Sequence, residues 1–246
     1  RLAFADRERF IADSDYMPVP VKGLTDPAYL AGRAALLETD TALETVAPGT
    51  PEFDHARADG AAIELPSTSH VTIVDQYGNV AAMTASIENV FGARVMVRGF
   101  LLNNELTDFS FRSHVDGVPV ANRVEPGKRP RSSMAPTIVM KDGKPVLAIG
   151  SPGGSRIIGY VAQAIIAWAD WDMDVQQAVA MAHGLNRFGT FDLEVGTGAE
   201  KLKEGLEGMG FAVKVGDLNS GLHAIEIGTV LRGGADPRRE GIALGE

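Results

Sequence analysis

Four stretches of the chain carry residues that could do chemistry. In "PSTSHVTIVDQYGNV" the residue of interest is Thr68, where a strand begins. A threonine hydroxyl is a weak nucleophile and needs a base within reach. Cleavage between Ser67 and Thr68 would supply one. The new α-amine, with a reference pKa of about 7.7 to 8.0, would lie next to Oγ. β-Branching would narrow χ1 and hold that oxygen in place. An ordinary strand threonine explains the same residue by β propensity. In "AIGSPGGSRIIGY" an apolar strand ends at Gly150 and a helix follows Gly154. The adjacent Gly153 and Gly154 let backbone N–H groups approach a developing oxyanion, and by themselves they also fit a tight strand-to-helix turn. In "KRPRSSMAPTIVM", Ser132 and Ser133 offer hydroxyls and N–H groups to a carboxylate, or form an exposed turn. In "LLNNELTDFSF", Glu105 and Asp108 follow an apolar strand and could hold an ammonium, although surface acids are far commoner.

These residues need elements to position them. "HVTIVD" and "VAAMTASI" flank a Gly-Asn turn and predict a hairpin, with its second strand over 80–86. "GFLLNNEL" predicts a third strand, and "PTIVMKDGKPVLAIG" a second hairpin around Asp142-Gly143. The stretch between Phe109 and Pro130 reads as loop. Helices are expected over 3–13, 25–37 (capped by Asp26), 155–169, 174–183 and 198–208, with short strands near 191–195, 211–215 and 223–228. Between Glu38 and Pro66 periodicity is lost, which suggests an exposed linker open to cutting. Hairpins first and helices after imply an α+β layered fold rather than a doubly wound sheet.

Composition narrows the function. The chain has 246 residues, is 45% hydrophobic and 22% charged, and carries a formal charge of −9. That balance fits a globular protein and disfavours nucleic acid as a partner. No apolar run reaches the roughly 18 residues of a membrane helix, so no membrane segment is expected. The absence of cysteine removes thiol catalysis and thiolate metal sites. The histidines form no i, i+4 pair, so a structural role suits them better than zinc. Lys128, Arg129 and Arg131 form a local basic cluster, either an anion site or a solvated loop. The start at Arg1 suggests part of a longer gene product.

Taken in order, the stretches resemble the γ-glutamyltransferase (γ-glutamyl transpeptidase) family. Its Thr-Thr-His nucleophile motif is matched by Thr68-Ser69-His70, followed by Asp75 and Gly78-Asn79. Its "LLNN…DFS", "KRP-SSM-PTIV" and "GSPGGSRI" motifs are matched at Leu101 to Ser110, Lys128 to Val139 and Gly150 to Ile157, and "ADPRRE" resembles its DPR segment. The resemblance implies a four-layer αββα sandwich of the N-terminal-nucleophile hydrolase type. Residues 1–67 would be the end of a large subunit with its linker, and 68–246 a small subunit. It also implies autoprocessing at Thr68 and cleavage of γ-glutamyl amides such as glutathione, with water or an amino acid or peptide as acceptor. Catalytic roles would fall to Thr68, to Ser86 beside its hydroxyl and amine, and to the N–H groups of Gly153 and Gly154. Ser132 and Ser133 would hold the substrate α-carboxylate and Asp108 its α-ammonium. The partners implied are a γ-glutamyl small molecule and the remainder of the large subunit; no cofactor or metal is implied. Relatives are commonly periplasmic, secreted or membrane-anchored.

Departures from the pattern bear on the substrate. Glu88 and Glu105 stand where the family typically has Asn and Gln at the substrate's α-amino end. "TASIENVFG" resembles a branch grouped with cephalosporin acylases. The loop from Phe109 to Pro130 is shorter than in members with a lid, and the family's substrate-binding arginine lies upstream of this chain. An amidase for another acyl group and a non-catalytic homologue are therefore the competing expectations.

Overall fold

The computed structural model describes residues 1–62 and 67–245. The expected linker therefore extends, at 63–66, outside the described residues. Among the described residues the α-helices are α1 (Leu2–Phe10), α2 (Val21–Leu24), α3 (Pro27–Ala35), α4 (Ile157–Asp170), α5 (Val175–Ala180) and α6 (Lys203–Gly208). The strands run from β1 (Thr68–Val74), β2 (Val80–Ser86), β3 (Met96–Val97) and β4 (Phe100–Leu101) through β5 (His114–Val115) and β6 (Val118–Pro119). There follow β7 (Thr137–Lys141), β8 (Lys144–Gly150), β9 (Gly184–Asn186) and β10 (Thr190–Glu194), then β11 (Ala212–Gly216), β12 (His223–Ile227) and β13 (Leu231–Ala235). Helices and strands are mixed, and packing divides the chain into two compact units.

One unit comprises Glu64–Glu105, Ser133–Leu185 and Asp217–Glu246. Its antiparallel sheet has the order β13-β12-β8-β7. The β7–β8 turn uses Asp142 (φ 51°) and Gly143 (φ 74°), the paired left-handed residues that a tight hairpin favours. Strand β8 is buried on both faces, because its side chains alternate between two layers. Leu147 and Ile149 join Ile157, Tyr160, Val161 and Ala164 of α4 and Val175 and Val179 of α5 in the apolar core. Each fully buried aliphatic side chain there contributes about 1.5–3 kcal/mol. A capping box between Asp174 and Gln177 starts α5. On the opposite face, a Cβ added to Gly150 would run into the His70 ring of β1, so the glycine lets β1 lie close on β8. The β1–β2 hairpin pairs Thr68 with Ser86 and Val74 with Val80. It turns Thr68 and His70 inward and leaves Val71, Ile73 and Met83 exposed. Helix layer, sheet and second sheet thus stack within this unit.

The other unit comprises Arg1–Ile63, Leu106–Ser132 and Asn186–Gly216. Asp26 caps α3 through the amides of Ala28 and Tyr29, with Pro27 in the first turn, as the sequence suggests. Strands β10 and β11 pair in parallel.

Three expectations are corrected. "GFLLNNEL" is not a full strand: only Phe100–Leu101 pair, with Met96–Val97, and Glu105–Asp108 form a 3₁₀ turn. The segment after Phe109 is not all loop, since Asp116 (φ 50°) and Gly117 (φ 79°) make the turn of the small β5–β6 hairpin. The basic cluster is ion-paired rather than a free anion site, and of its three cations only Arg129 is solvated. Arg131, buried, pairs with both carboxylate oxygens of Glu8; buried Lys128 pairs with Glu125; and Arg129 pairs with Asp13 and Asp15. Glu125 is local, but the local sequence does not show Glu8, Asp13 and Asp15, which lie more than a hundred residues away.

Candidate functional site

The start of β1 and the end of β2 place two hydroxyls together. Thr68 Oγ1 donates to Ser86 Oγ at 3.1 Å. Ser86 Oγ donates in turn to the carbonyl oxygen of Ser67 at 3.2 Å and accepts from the Glu88 amide at 2.9 Å. Thr68 is 7% exposed, so its hydroxyl sits in a partly desolvated setting where such contacts carry more weight. The pairing register Thr68↔Ser86 produces this contact. It follows from a β-hairpin in which directly opposed residues share a face.

Behind Thr68 on the same inward face, His70 is held neutral. Its Nδ1 lies 2.7 Å from Thr84 Oγ1 and its Nε2 3.0 Å from Thr72 Oγ1, and Thr72 Oγ1 donates to the His223 carbonyl at 3.3 Å. If Thr72 donates onward, the consistent tautomer carries its proton on Nε2. Burial first, and then the neighbouring His223, hold the ring down at about 4. His70 is thus a structural histidine, as its residue type suggests.

Strand β8 ends at Gly150 on His70 and leads into Ser151-Pro152-Gly153-Gly154. Gly153 (φ 139°) and Gly154 (φ 58°) hold left-handed backbone that other residues rarely adopt. A Cβ on Gly153 would also meet the Tyr160 ring at 2.7 Å. The 3₁₀ turn Gly154–Arg156 opens directly into α4. The loop therefore presents N–H groups at a helix start, where negative charge is favoured.

Glu88 has φ 68°, rare for a side chain of its size, and is only 2% exposed. Its carboxylate accepts from Asn104 Nδ2, while Asn104 Oδ1 accepts from the Asn89 amide at 2.9 Å. Asn104, which the sequence reading passed over, pins the turn that carries Glu88. Strain of this kind gathers at functional sites. Glu105 begins the 3₁₀ turn, its amide donating to Asn103 Oδ1 at 3.0 Å. Ser133 is buried.

Asp108 and Ser132 belong to the other unit. There Asn122, fully buried, donates to the Asp108 carbonyl at 2.7 Å and accepts from the Arg131 amide at 3.0 Å. One side chain thus fixes the Asp108 turn and the residue before Ser132. Nothing in the local pattern around Asn122 announces this. Among the described residues no three histidine or acidic side chains gather as metal ligands, and no helix is long and apolar enough to cross a membrane.

The Gamma-glutamyltranspeptidase family profile matches residues 1–246, and the chain belongs to that family. It is 38% identical to a "Glutathione hydrolase proenzyme" of Bacillus subtilis strain 168, over 99% of this chain and 43% of that protein. It is 35% identical to an "Acylase ACY 1 proenzyme" of Pseudomonas sp. strain SE83, over 79% of this chain and 32% of that one. The chain thus spans less than half the length of the curated relatives it matches. Among solved structures, a gamma-glutamyltranspeptidase from Pseudomonas nitroreducens complexed with L-DON is 34% identical, with a TM-score of 0.65, over 72% of this chain and 98% of that chain.

Proposed function

We propose that the protein is an autoprocessed N-terminal threonine acyltransferase or hydrolase that cleaves γ-glutamyl amides such as glutathione. The observation that carries this reading is the Ser86 hydroxyl, which touches the Thr68 hydroxyl and the Ser67 carbonyl at once. Thr68 Oγ attacks the Ser67 carbonyl carbon as its proton leaves. The Ser67–Thr68 C–N bond breaks, the nitrogen takes a proton, and an ester remains. Water then hydrolyses the ester, leaving a Ser67 carboxylate and a free Thr68 amine. That amine serves as base when Thr68 Oγ takes up a γ-glutamyl group and passes it to water or to an amino acid or peptide.

The motif match assigns the other roles. The N–H groups of Gly153 and Gly154 stabilise the oxyanion, an effect typically worth 10²–10³ in rate per donor. Ser132 and Ser133 hold the α-carboxylate, and Asp108, with Glu88 and Glu105, holds the α-ammonium. We further propose that residues 1–67 end a large subunit and 68–246 form the small one, in a four-layer αββα sandwich with the rest of the large subunit as partner. Two facts support this. Residues 68–246 are close in size to the 72% of this chain that covers nearly all of the solved relative's chain. The exposed apolar face of β1–β2, with Val71, Ile73 and Met83, suits cover by a further layer.

A second reading is an amidase for another acyl group, favoured by the acylase relative and by the carboxylates at Glu88 and Glu105. The test combines intact mass with substrate choice, on protein expressed from its complete coding sequence. The first reading expects two fragments meeting at Ser67-Thr68, one uncut chain for Thr68→Ala, and hydrolysis of a γ-glutamyl anilide. Turnover of a glutaryl anilide alone selects the second reading. An uncut wild-type chain, indistinguishable from Thr68→Ala, refutes both.

A further inference from the structure

The segment Asp236–Arg239, within the DPR-like stretch, has no role in the chemistry above. Asp236 is buried and accepts from Ser220 Oγ, from the Leu222 amide at 3.1 Å and from the Arg238 amide and guanidinium, both at 3.0 Å. Its carbonyl accepts from the Arg239 amide at 3.4 Å, which fixes where the next side chain departs. Arg239 Nε then donates to Asn219 Oδ1 at 3.1 Å and to the Ser220 carbonyl at 3.0 Å. One terminal nitrogen reaches the Asn219 carbonyl at 3.3 Å and the other the Thr68 carbonyl at 3.5 Å. A Cβ on Gly221 would come within 2.9 Å of Arg239 Cδ and 2.6 Å of Pro152 Cγ, so that glycine seats both. The Gly221 amide also donates to Ser151 Oγ at 3.3 Å. Arg239 therefore ties the first residue of β1 to the loop that packs on Ser151-Pro152, just ahead of the paired glycines.

We infer that Arg239 is a positioning residue whose guanidinium anchors Thr68 and keeps the amine gained on scission in its free-base form. This rests on the reading of Thr68 as the nucleophile. Standard backbone dimensions put the guanidinium within about 7 Å of the Thr68 nitrogen. A like charge so close disfavours the ammonium. Only the free amine can accept the hydroxyl proton. The other ionisable groups on the packed elements are His70 on β1, Glu88 after β2, Lys144 on β8, Arg156 after the paired glycines, Asp217 before Asn219, His223 and Glu226 on β12, and Asp236, Arg238 and exposed Glu240. His70 stays neutral, first through burial and then through the neighbouring His223. Arg238 is spent on Asp236. Glu88 lies two residues past Ser86 and acts in the opposite sense, favouring the ammonium.

The test compares wild type, Arg239→Gln and Arg239→Lys by intact mass, thermal melting and kcat/KM from pH 5 to 9. Arg239→Gln should move the acidic limb of kcat/KM up by about 0.5 to 1 pH unit. Its rate near neutrality should fall about 3- to 10-fold and recover toward pH 9, while Arg239→Lys keeps the limb near its wild-type position. Scission in Arg239→Lys but not in a folded Arg239→Gln places the charge at the scission step and overturns the role at the amine, which does not exist before the cut. A cut, active Arg239→Gln whose limb stays in place overturns the inference and leaves the Thr68 reading standing. So do folded variants that both remain uncut while wild type cuts. An uncut wild type instead refutes the Thr68 reading itself, and this inference with it.

Discussion

Replacing Ser86 with alanine removes one oxygen and three contacts: the partner of the Thr68 hydroxyl, the donor to the Ser67 carbonyl and the acceptor for the Glu88 amide. The kinetic and structural costs differ in size. As a ground-state hydrogen bond, the donor to Ser67 is worth about 0.5–1.5 kcal/mol. If that carbonyl becomes the oxyanion of self-scission, the same donor is worth about 2.7–4 kcal/mol in the transition state. The 3.2 Å separation is long enough to shorten as charge develops. Scission should therefore slow by about 10²-fold or more, beyond the roughly tenfold that an ordinary hydrogen bond allows. The orphaned Glu88 amide costs about 1–3 kcal/mol of folding stability, which a melting curve reads separately. The assay is a time course of intact mass on freshly synthesised protein, with Ser86→Thr as the variant that restores a hydroxyl. Wild-type scission in a folded Ser86→Ala protein would remove Ser86 from the chemistry, and with it the observation on which the proposed function rests.

Two further outcomes test the scaffold. Asn122→Ala should cost about 2–4 kcal/mol in chemical denaturation, because it strands the Asp108 carbonyl and the Arg131 amide in a buried place; Asn122→Asp keeps the acceptor for Arg131 but sets a carboxylate oxygen against the Asp108 carbonyl, so at about pH 7 it should cost at least as much, and a smaller loss than for alanine would contradict the account. His70 titrates near 4 in the folded chain against 6.5 ordinarily, so its contribution is complete above about pH 6.5 and is lost as pH falls through about 4. Thermal stability should drop across that window by at most about 3 kcal/mol, and His70→Gln should flatten the drop; an unchanged profile would show that His70 does not control it.

Much of the layout was legible along the chain because its signals are local. Asp26 with Pro27 marked the start of α3, and Asp142-Gly143 marked a hairpin, since caps and left-handed turns depend on a few adjacent residues. The order of motifs marked the family. The Asp116-Gly117 turn of β5–β6 is likewise a local signal, whereas the partners of the basic residues are long-range. Arg129 and Arg131 read as part of a basic cluster with no carboxylate beside them, and folding brings Glu8, Asp13 and Asp15 to them. "GFLLNNEL" was apolar enough for a strand, yet only two of its residues find a partner.

The sequence by itself determined which residue types were available: a β-branched hydroxyl at a strand start, paired glycines after an apolar strand, serines before another. Tertiary structure decided which of them meet. Alternation alone would turn Val71 and Ile73 of β1 toward a core, but packing against Gly150 and His223 turns Thr68, His70 and Thr72 inward instead. The contact from Arg239 to Thr68 spans 171 residues of chain. No local propensity encodes such a contact, because it exists only once two sheets and a terminal turn have packed.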